Sequence, residues 1–213
     1  MTKLIYIADP MCSWCYGFGP ELTTLLSGLP EVPLEIVVGG LRPYTSEVMD
    51  EAKKATILSH WEKVADVSGL PFVDTALSRS DFIYNTEPAC RAVVAARILA
   101  PQAALDVFLA IQHGFYAEGL DTTNADVLTR ICTDALNKAG VEIDVEGFAQ
   151  VWSSEEAITA THTDFLQTQR WGISGFPTLV LERAGELHLA TSGYMRVEKL
   201  VEQLQVLVDQ VPS

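Results

Sequence analysis

The sequence predicts an α/β protein built on a mixed sheet, with two parallel strands, a C-terminal antiparallel hairpin and an inserted all-helical subdomain. Three observations carry this. A short apolar run at residues 3–8 is followed by a helical pattern and then by a second short apolar run, Leu34–Val38. Two more apolar runs, at 178–182 and 187–191, flank a turn near Ala184-Gly185. Between Ser46 and about Ser153 only helical periodicity is found. Strands alternating with helices imply right-handed crossovers, which make the first two strands parallel, and the short turn makes the last two antiparallel.

Each element has its own signal. Residues 3–8 are short, apolar and rich in β-formers, as a buried strand requires. In the helix that follows, Trp14, Phe18, Leu22, Leu25, Leu26 and Leu29 recur at spacings of three and four, and Gly28 and Pro30 end it. Pro20 lies inside that helix, where it removes a hydrogen bond and is expected to kink it. Leu34–Val38 is closed by Gly39-Gly40. In the insert, helices are expected over 47–67, Glu87–Leu99, 103–118 (stopped at Gly119) and 125–139 (stopped at Gly140), with a short one after Asp144. Ala52, Ala55, Trp61, Val64 and Ala65 are expected to face inward from the first. Ser153-Ser154-Glu155-Glu156 reads as a capping box opening a helix that ends at Gly172. The last helix carries a stripe of Val197, Leu200, Val201, Leu204, Leu207, Val208 and Val211, expected to pack on the sheet. The expected division is a sheet domain of residues 1–45 and 154–213, interrupted by a helical insertion at 46–153.

Composition narrows the function. A chain of 213 residues with a 48% hydrophobic fraction can build a substantial core, and 20% charged residues argue against extensive disorder. No apolar run approaches the ~20 residues that span a bilayer. The apolar stretch before the first cysteine is too short for a signal-peptide core, so a cytoplasmic location is expected. Net charge is −14, and the basic residues are scarce and unclustered, which excludes nucleic acid as a partner. The sequence carries no signal for oligomeric state.

The chemistry centres on Cys12-Ser13-Trp14-Cys15, between a strand end and a helix start. Free backbone N–H groups and the helix dipole favour an anion there, and the thiolate is the nucleophile in disulfide exchange. Cys12 is therefore expected to attack. Cys15, one turn on and more buried, is placed to resolve the mixed disulfide. Ser13 can donate toward the Cys12 sulfur or simply be a polar first-turn residue. Trp14 offers either a substrate contact or core packing. A zinc site would need four ligands, and His60, His113, His162 and His188 are scattered, so no metal is expected. Disulfide exchange calls for no cofactor. Cys90 and Cys132 lie in apolar helical patterns and are read as inert, buried small hydrophobes. A second element, Gly172-Ile173-Ser174-Gly175-Phe176-Pro177-Thr178, precedes the third strand, where a proline is tolerated at the strand start.

Taken together, Cys12-Ser13-Trp14-Cys15, Pro20 and Gly175-Phe176-Pro177-Thr178 resemble the thioredoxin superfamily, and the helical insert resembles its DsbA-like branch. The runs Asp9-Pro10-Met11-Cys12-Ser13-Trp14-Cys15-Tyr16-Gly17, Asn85-Thr86-Glu87-Pro88-Ala89-Cys90-Arg91-Ala92 and Phe115-Tyr116-Ala117-Glu118-Gly119 look like the FrnE-like group of predicted protein-disulfide isomerases. The resemblance implies a thioredoxin fold and a cis Pro177 that faces the cysteine pair. It also implies that Phe176 lines a groove for an extended substrate. The implied partners are disulfide-containing proteins or thiols, glutathione among them. The chain departs from exported DsbA oxidants in its Ser-Trp dipeptide and its lack of an export signal, so a reductase or isomerase role stands beside the oxidant one. A glutathione-dependent transferase or isomerase of the kappa-class or hydroxychromene carboxylate isomerase type is the alternative enzyme. A non-catalytic peptide-binding module is the third reading. An intact second cysteine speaks against both.

Overall fold

A computed structural model describes residues 2–210 of the chain. Its elements run β1 (Thr2–Ala8), α1 (Ser13–Ser27), β2 (Leu34–Val38), α2 (Glu51–Ser68), α3 (Glu87–Leu99), α4 (Ala104–Gln112), α5 (Ala125–Lys138), α6 (Val145–Trp152), α7 (Glu155–Arg170), β3 (Thr178–Arg183), β4 (Glu186–Ser192) and α8 (Val197–Gln210). The sheet order is β2-β1-β3-β4. β1 pairs parallel to β2 and antiparallel to β3, and β3 pairs antiparallel to β4. This is the expected mixed sheet, with helices α2–α6 between β2 and α7.

The central position of β1 explains its apolar sequence. Alternation sends Leu4, Tyr6 and Ala8 to one face, among α1 and the insert, while Ile5 and Ile7 join Val37 and Val180 on the other. The core on the first face is continuous. It runs from the sheet through Phe18 and Leu22 of α1 into α3, α4 and α5, so the insert shares its interior with the sheet domain. Tyr16 of α1 stacks on Tyr116, ring centroids 4.9 Å apart, and Tyr116 in turn meets Trp61 of α2 at 5.0 Å. The salt bridge from Arg97 on α3 to Asp164 on α7, 2.8 Å, adds a polar tie, and Asp164 also accepts from the Val38 N–H at 3.0 Å.

Several expected boundaries shift for local reasons. α2 starts at Glu51 instead of Glu47 because the Asp50 side chain caps it, accepting from the Lys53 N–H. Its buried face is Lys54, Ile57, Trp61 and Val64; Ala52 and Ala55 are exposed and Ala65 is half-buried. Lys54 is tolerated inside because its ammonium donates to Glu51 and to the Arg79 carbonyl. The expected helix at 103–118 divides into a 3-10 turn at Pro101–Ala103, α4, and a widened π turn at His113–Ala117, closed by Glu118 N–H to His113 carbonyl at 3.1 Å. α7 is capped by Ser154, whose hydroxyl accepts from Ala157 N–H. The third helical residue is thus Ala157, so the reciprocal glutamate of a capping box is absent. Within the final stripe, Leu200 and Leu204 are buried but Val201 is half-exposed. The side chain of Val208 and all of Val211 lie outside the described residues. Pro20 sits inside α1, as the sequence has it.

Candidate active site

Cys12 occupies the N-cap position of α1, in extended backbone at φ −94° and ψ 119°. Its carbonyl already accepts the first helical bond, from Tyr16 N–H at 3.0 Å, so the helix begins immediately beyond it. The sulfur therefore sits where the first-turn N–H groups lack helical partners. Cys15 follows one turn later on the inner face. Cys12 is 6% exposed and Cys15 0%, which makes Cys12 the outer of the two. Burial pushes the Cys15 thiol well above its ordinary range, the neighbouring Cys12 sulfur adds to this, and the Asp9 backbone pulls it partly back. All four cysteines are free thiols.

The proline loop closes the site from the other half of the chain. The Cys12 thiol points at the Phe176 carbonyl oxygen, 3.7 Å away. The Phe176-Pro177 peptide bond is cis. The Phe176 ring lies against Gly39, just past β2. A β-carbon at Gly39 would come within 2.1 Å of the ring, so only glycine admits this approach. Ser13 opens α1 half-buried, and no hydrogen bond joins its hydroxyl to the Cys12 sulfur. Trp14 is partly buried and packs on Tyr194 at 5.9 Å, so packing against the β4–α8 loop accounts for much of its surface.

Beneath the cysteines lies a polar cluster that the sequence reading passed over. Asp9 is fully buried. Its carboxylate accepts from the N–H groups of Met11 at 2.8 Å and Leu41 at 2.6 Å and from the Cys90 thiol at 3.4 Å. It thereby ties the cysteine loop to the segment after β2 and to α3. Burial raises the Asp9 pKa, and these backbone and side-chain donors offset part of the rise. Cys90 is buried as expected, yet it is not merely a small hydrophobe, because its thiol serves this carboxylate. Burial pushes the Cys90 thiol well up, and Asp9 adds to that. Cys132 is buried, with its thiol raised by burial.

Tyrosines complete the floor. The Tyr84 hydroxyl donates to the Met11 carbonyl at 2.6 Å and lies 3.4 Å from the Tyr116 hydroxyl. The Arg42 guanidinium stands over the Tyr84 ring, 5.4 Å from its centroid. Tyr6 of β1 approaches from below α1, its ring 6.0 Å from that of Phe18. Asp9 had one legible signal, a charged residue closing an apolar strand directly before the motif. Gly39 had another, a glycine doublet ending β2. Tyr6 and Tyr84 had none, since an inward tyrosine reads as ordinary core, while Tyr116 stood in the Phe115–Gly119 run of the resemblance without a role attached.

Among the described residues no cluster of three or more His, Cys, Asp or Glu is arranged to hold a metal ion. No described helix is long and apolar enough to cross a membrane.

Comparison with known proteins agrees with this geometry. A family model described as thioredoxin matches residues 5–202. No sequence among the curated proteins matches. Among solved structures, one from Nitrosomonas europaea, described as a "putative protein disulfide isomerase", is 36% identical, with 99% of each chain covered and a TM-score of 0.89. The cytosolic disulfide reductase DsbM from Pseudomonas aeruginosa is 23% identical, with 98% of this chain and 100% of that one covered and a TM-score of 0.76. A 2-hydroxychromene-2-carboxylate isomerase shares the fold at 16% identity and a TM-score of 0.67, covering 97% of this chain and 96% of that one. With the family model matching residues 5–202 and the full-length identity to the Nitrosomonas structure, this chain belongs to the thioredoxin family, in its DsbA-like branch.

Proposed function

We propose that the protein is a thiol–disulfide oxidoreductase that works as a reductase or isomerase, with Cys12 as nucleophile and Cys15 as resolving thiol. The observation that carries this is the placement of the Cys12 sulfur at the start of α1, 3.7 Å from the Phe176 carbonyl, with Cys15 fully buried one turn behind. The Cys12 thiolate attacks one sulfur of a substrate disulfide and expels the other as a thiolate. Cys15 then attacks the Cys12 sulfur, releasing the second substrate thiol and leaving a Cys12–Cys15 disulfide. Two molecules of a small thiol such as glutathione return the pair to the dithiol, the first forming a mixed disulfide on Cys12 and the second releasing it as the small-molecule disulfide. In isomerisation a substrate thiol attacks the mixed disulfide before Cys15 does.

The substrate is an extended segment of a disulfide-containing protein, or a small disulfide. The Phe176 backbone beside Cys12 is suited to pairing with such a segment as an added strand, and Phe176 and Trp14 supply apolar walls. DsbM of Pseudomonas aeruginosa, described as a cytosolic disulfide reductase and solved with GSH, supports the reducing direction, the use of small thiols and a cytoplasmic setting. The transferase reading is weaker because a buried second thiol serves no purpose in conjugation.

A trapping experiment tests the roles. With Cys15→Ser, incubation with a disulfide-bonded protein should accumulate a mixed disulfide on Cys12, read by peptide mass. A trap that forms equally well on Cys15 in Cys12→Ser overturns the assignment. Equilibration of the wild type with glutathione buffers then sets the direction. A potential near or below that of glutathione supports the reductase, and one far above it makes the protein an oxidant. Conjugation of glutathione to an electrophile, undiminished by Cys15→Ser, would instead identify a transferase.

A further inference from the structure

We propose that the Tyr6 hydroxyl is the side-chain hydrogen-bond donor to the Cys15 sulfur when that sulfur carries negative charge, and so sets the rate at which the mixed disulfide on Cys12 is resolved. The inference rests on the oxidoreductase reading above and assigns a residue to its buried half.

Three observations place Tyr6 there. Tyr6 projects from the central strand β1 onto the face that holds Cys12, Cys15 and Phe18. Phe18 shares the inner side of α1 with Cys15, three residues on, and its ring lies 6.0 Å from that of Tyr6. The Phe108 ring of α4 closes the other side at 5.6 Å, edge to face, so the tyrosine is held in place. The hydroxyl is buried, makes no fully formed hydrogen bond in the free dithiol state, and lies within interaction range of the Cys15 sulfur. Its strongest electrostatic neighbours are the sulfurs of Cys15 and then Cys12.

A buried hydroxyl without a partner costs stability, and phenylalanine would fill the same space without that cost. The hydroxyl gains a full hydrogen bond when a group beside it takes up charge, and the neighbour that changes state is Cys15. In resolution, Cys15 gives up its proton, its thiolate attacks the Cys12 sulfur, the bond from Cys12 to the substrate sulfur breaks, and the released thiolate takes up a proton. When the pair is reduced again, an incoming thiolate attacks Cys12 and Cys15 leaves as the buried anion. Both steps place a full charge on a sulfur sealed from water. The other titratable groups facing it do not help: Asp9 and Cys12 add negative charge, and Tyr84, Tyr116 and Cys90 address Asp9, Met11 and one another. Burial keeps the Tyr6 hydroxyl protonated, so it donates instead of ionising.

The test uses the full chain with Tyr6→Phe, which keeps the ring. Reduced protein is mixed with glutathione disulfide, quenched with acid at intervals and weighed. Mass resolves two rates, formation of the glutathione adduct on Cys12 and its loss as Cys15 closes the disulfide. The expected result is an unchanged formation rate, a closure rate about tenfold slower at pH 7 with its pH midpoint displaced upward, and a melting temperature equal to or above that of wild type. An unchanged closure rate and midpoint overturn the proposal. A second measurement needs no variant at Tyr6. Near-ultraviolet tyrosine absorption should shift as Cys15 ionises in the wild type and not in Cys15→Ala, and the absence of that difference also overturns it. If the wild type forms no adduct on Cys12, the oxidoreductase reading itself fails and takes this role with it. If the wild type cycles normally and Tyr6→Phe matches it, only the role of Tyr6 fails.

Discussion

The Cys12 sulfur and the Phe176 carbonyl oxygen stand 3.7 Å apart although 164 residues separate them in the chain. The pairing of β1 with β3 brings them together, since it sets the end of one strand beside the start of the other, with Ile7 opposite Thr178. The proposed nucleophile and the backbone proposed to receive substrate are thus fixed by the same ladder.

Only Cys12 should react rapidly with iodoacetamide in the native, reduced protein. Burial pushes the thiols of Cys15, Cys90 and Cys132 up, so each holds little thiolate near neutral pH and little of it is reachable. Peptide mass after timed alkylation at pH 7 to 8 should show the other three slower by at least about a hundredfold. Comparable labelling of Cys90 or Cys132 would contradict the assignment of the nucleophile.

Gly39→Ala should damage exchange without touching a cysteine. The new methyl group would fall 2.1 Å from the Phe176 ring, which must turn out of its place against Gly39. We expect a loss of about 1–3 kcal/mol in unfolding free energy from overpacking. Turnover of a disulfide-bonded protein substrate should fall about tenfold, since a misplacement of this order weakens positioning. Unchanged turnover, with denaturant unfolding showing that the variant folds, would remove Phe176 from the substrate groove.

Asp9 makes a pH-dependent contribution whose sign is set by its raised pKa. A carboxyl with a folded pKa above its unfolded value binds more protons in the folded state. Its contribution is complete below the ordinary carboxylate pKa and is lost as pH rises through the raised folded value. Wild-type stability should therefore fall over that acidic window relative to Asp9→Asn, whose amide does not titrate. Parallel unfolding curves for the two across a pH series would show that Asp9 is not perturbed.

Arg97→Ala should be strongly destabilising. It leaves the Asp164 carboxylate buried, 12% exposed at its side chain, with its countercharge gone. The expected loss is about 3–5 kcal/mol. Adding Asp164→Ala should recover part of it and no more, because the Val38 N–H then loses its acceptor. Urea denaturation of the two variants checks both the loss and its partial recovery. A loss of under about 1 kcal/mol in the single variant would mean that solvent reaches the pair.

What the sequence determined by itself was local. The strand-helix-strand start, the hairpin and the helical pattern between them follow from spacings of two and of three to four residues, and these are visible without any distant contact. The cysteine motif is legible for the same reason, as its chemistry needs only a strand end, a helix start and a spacing of one turn. The helix expected from Glu47 begins at Glu51 because Asp50 caps it, and α7 is capped by Ser154 within the polar run that the sequence offered. The floor of the site was decided by the tertiary structure alone. Asp9, Leu41, Thr86 and Cys90 come from three separate segments and meet only because α3 packs beneath the end of β1. No periodicity marks Tyr6, since an inward tyrosine on a buried strand looks the same whether its hydroxyl meets a carbonyl, a sulfur or nothing. Pattern records which face a side chain takes; which partner its one polar atom finds depends on the packing of residues far away in the chain.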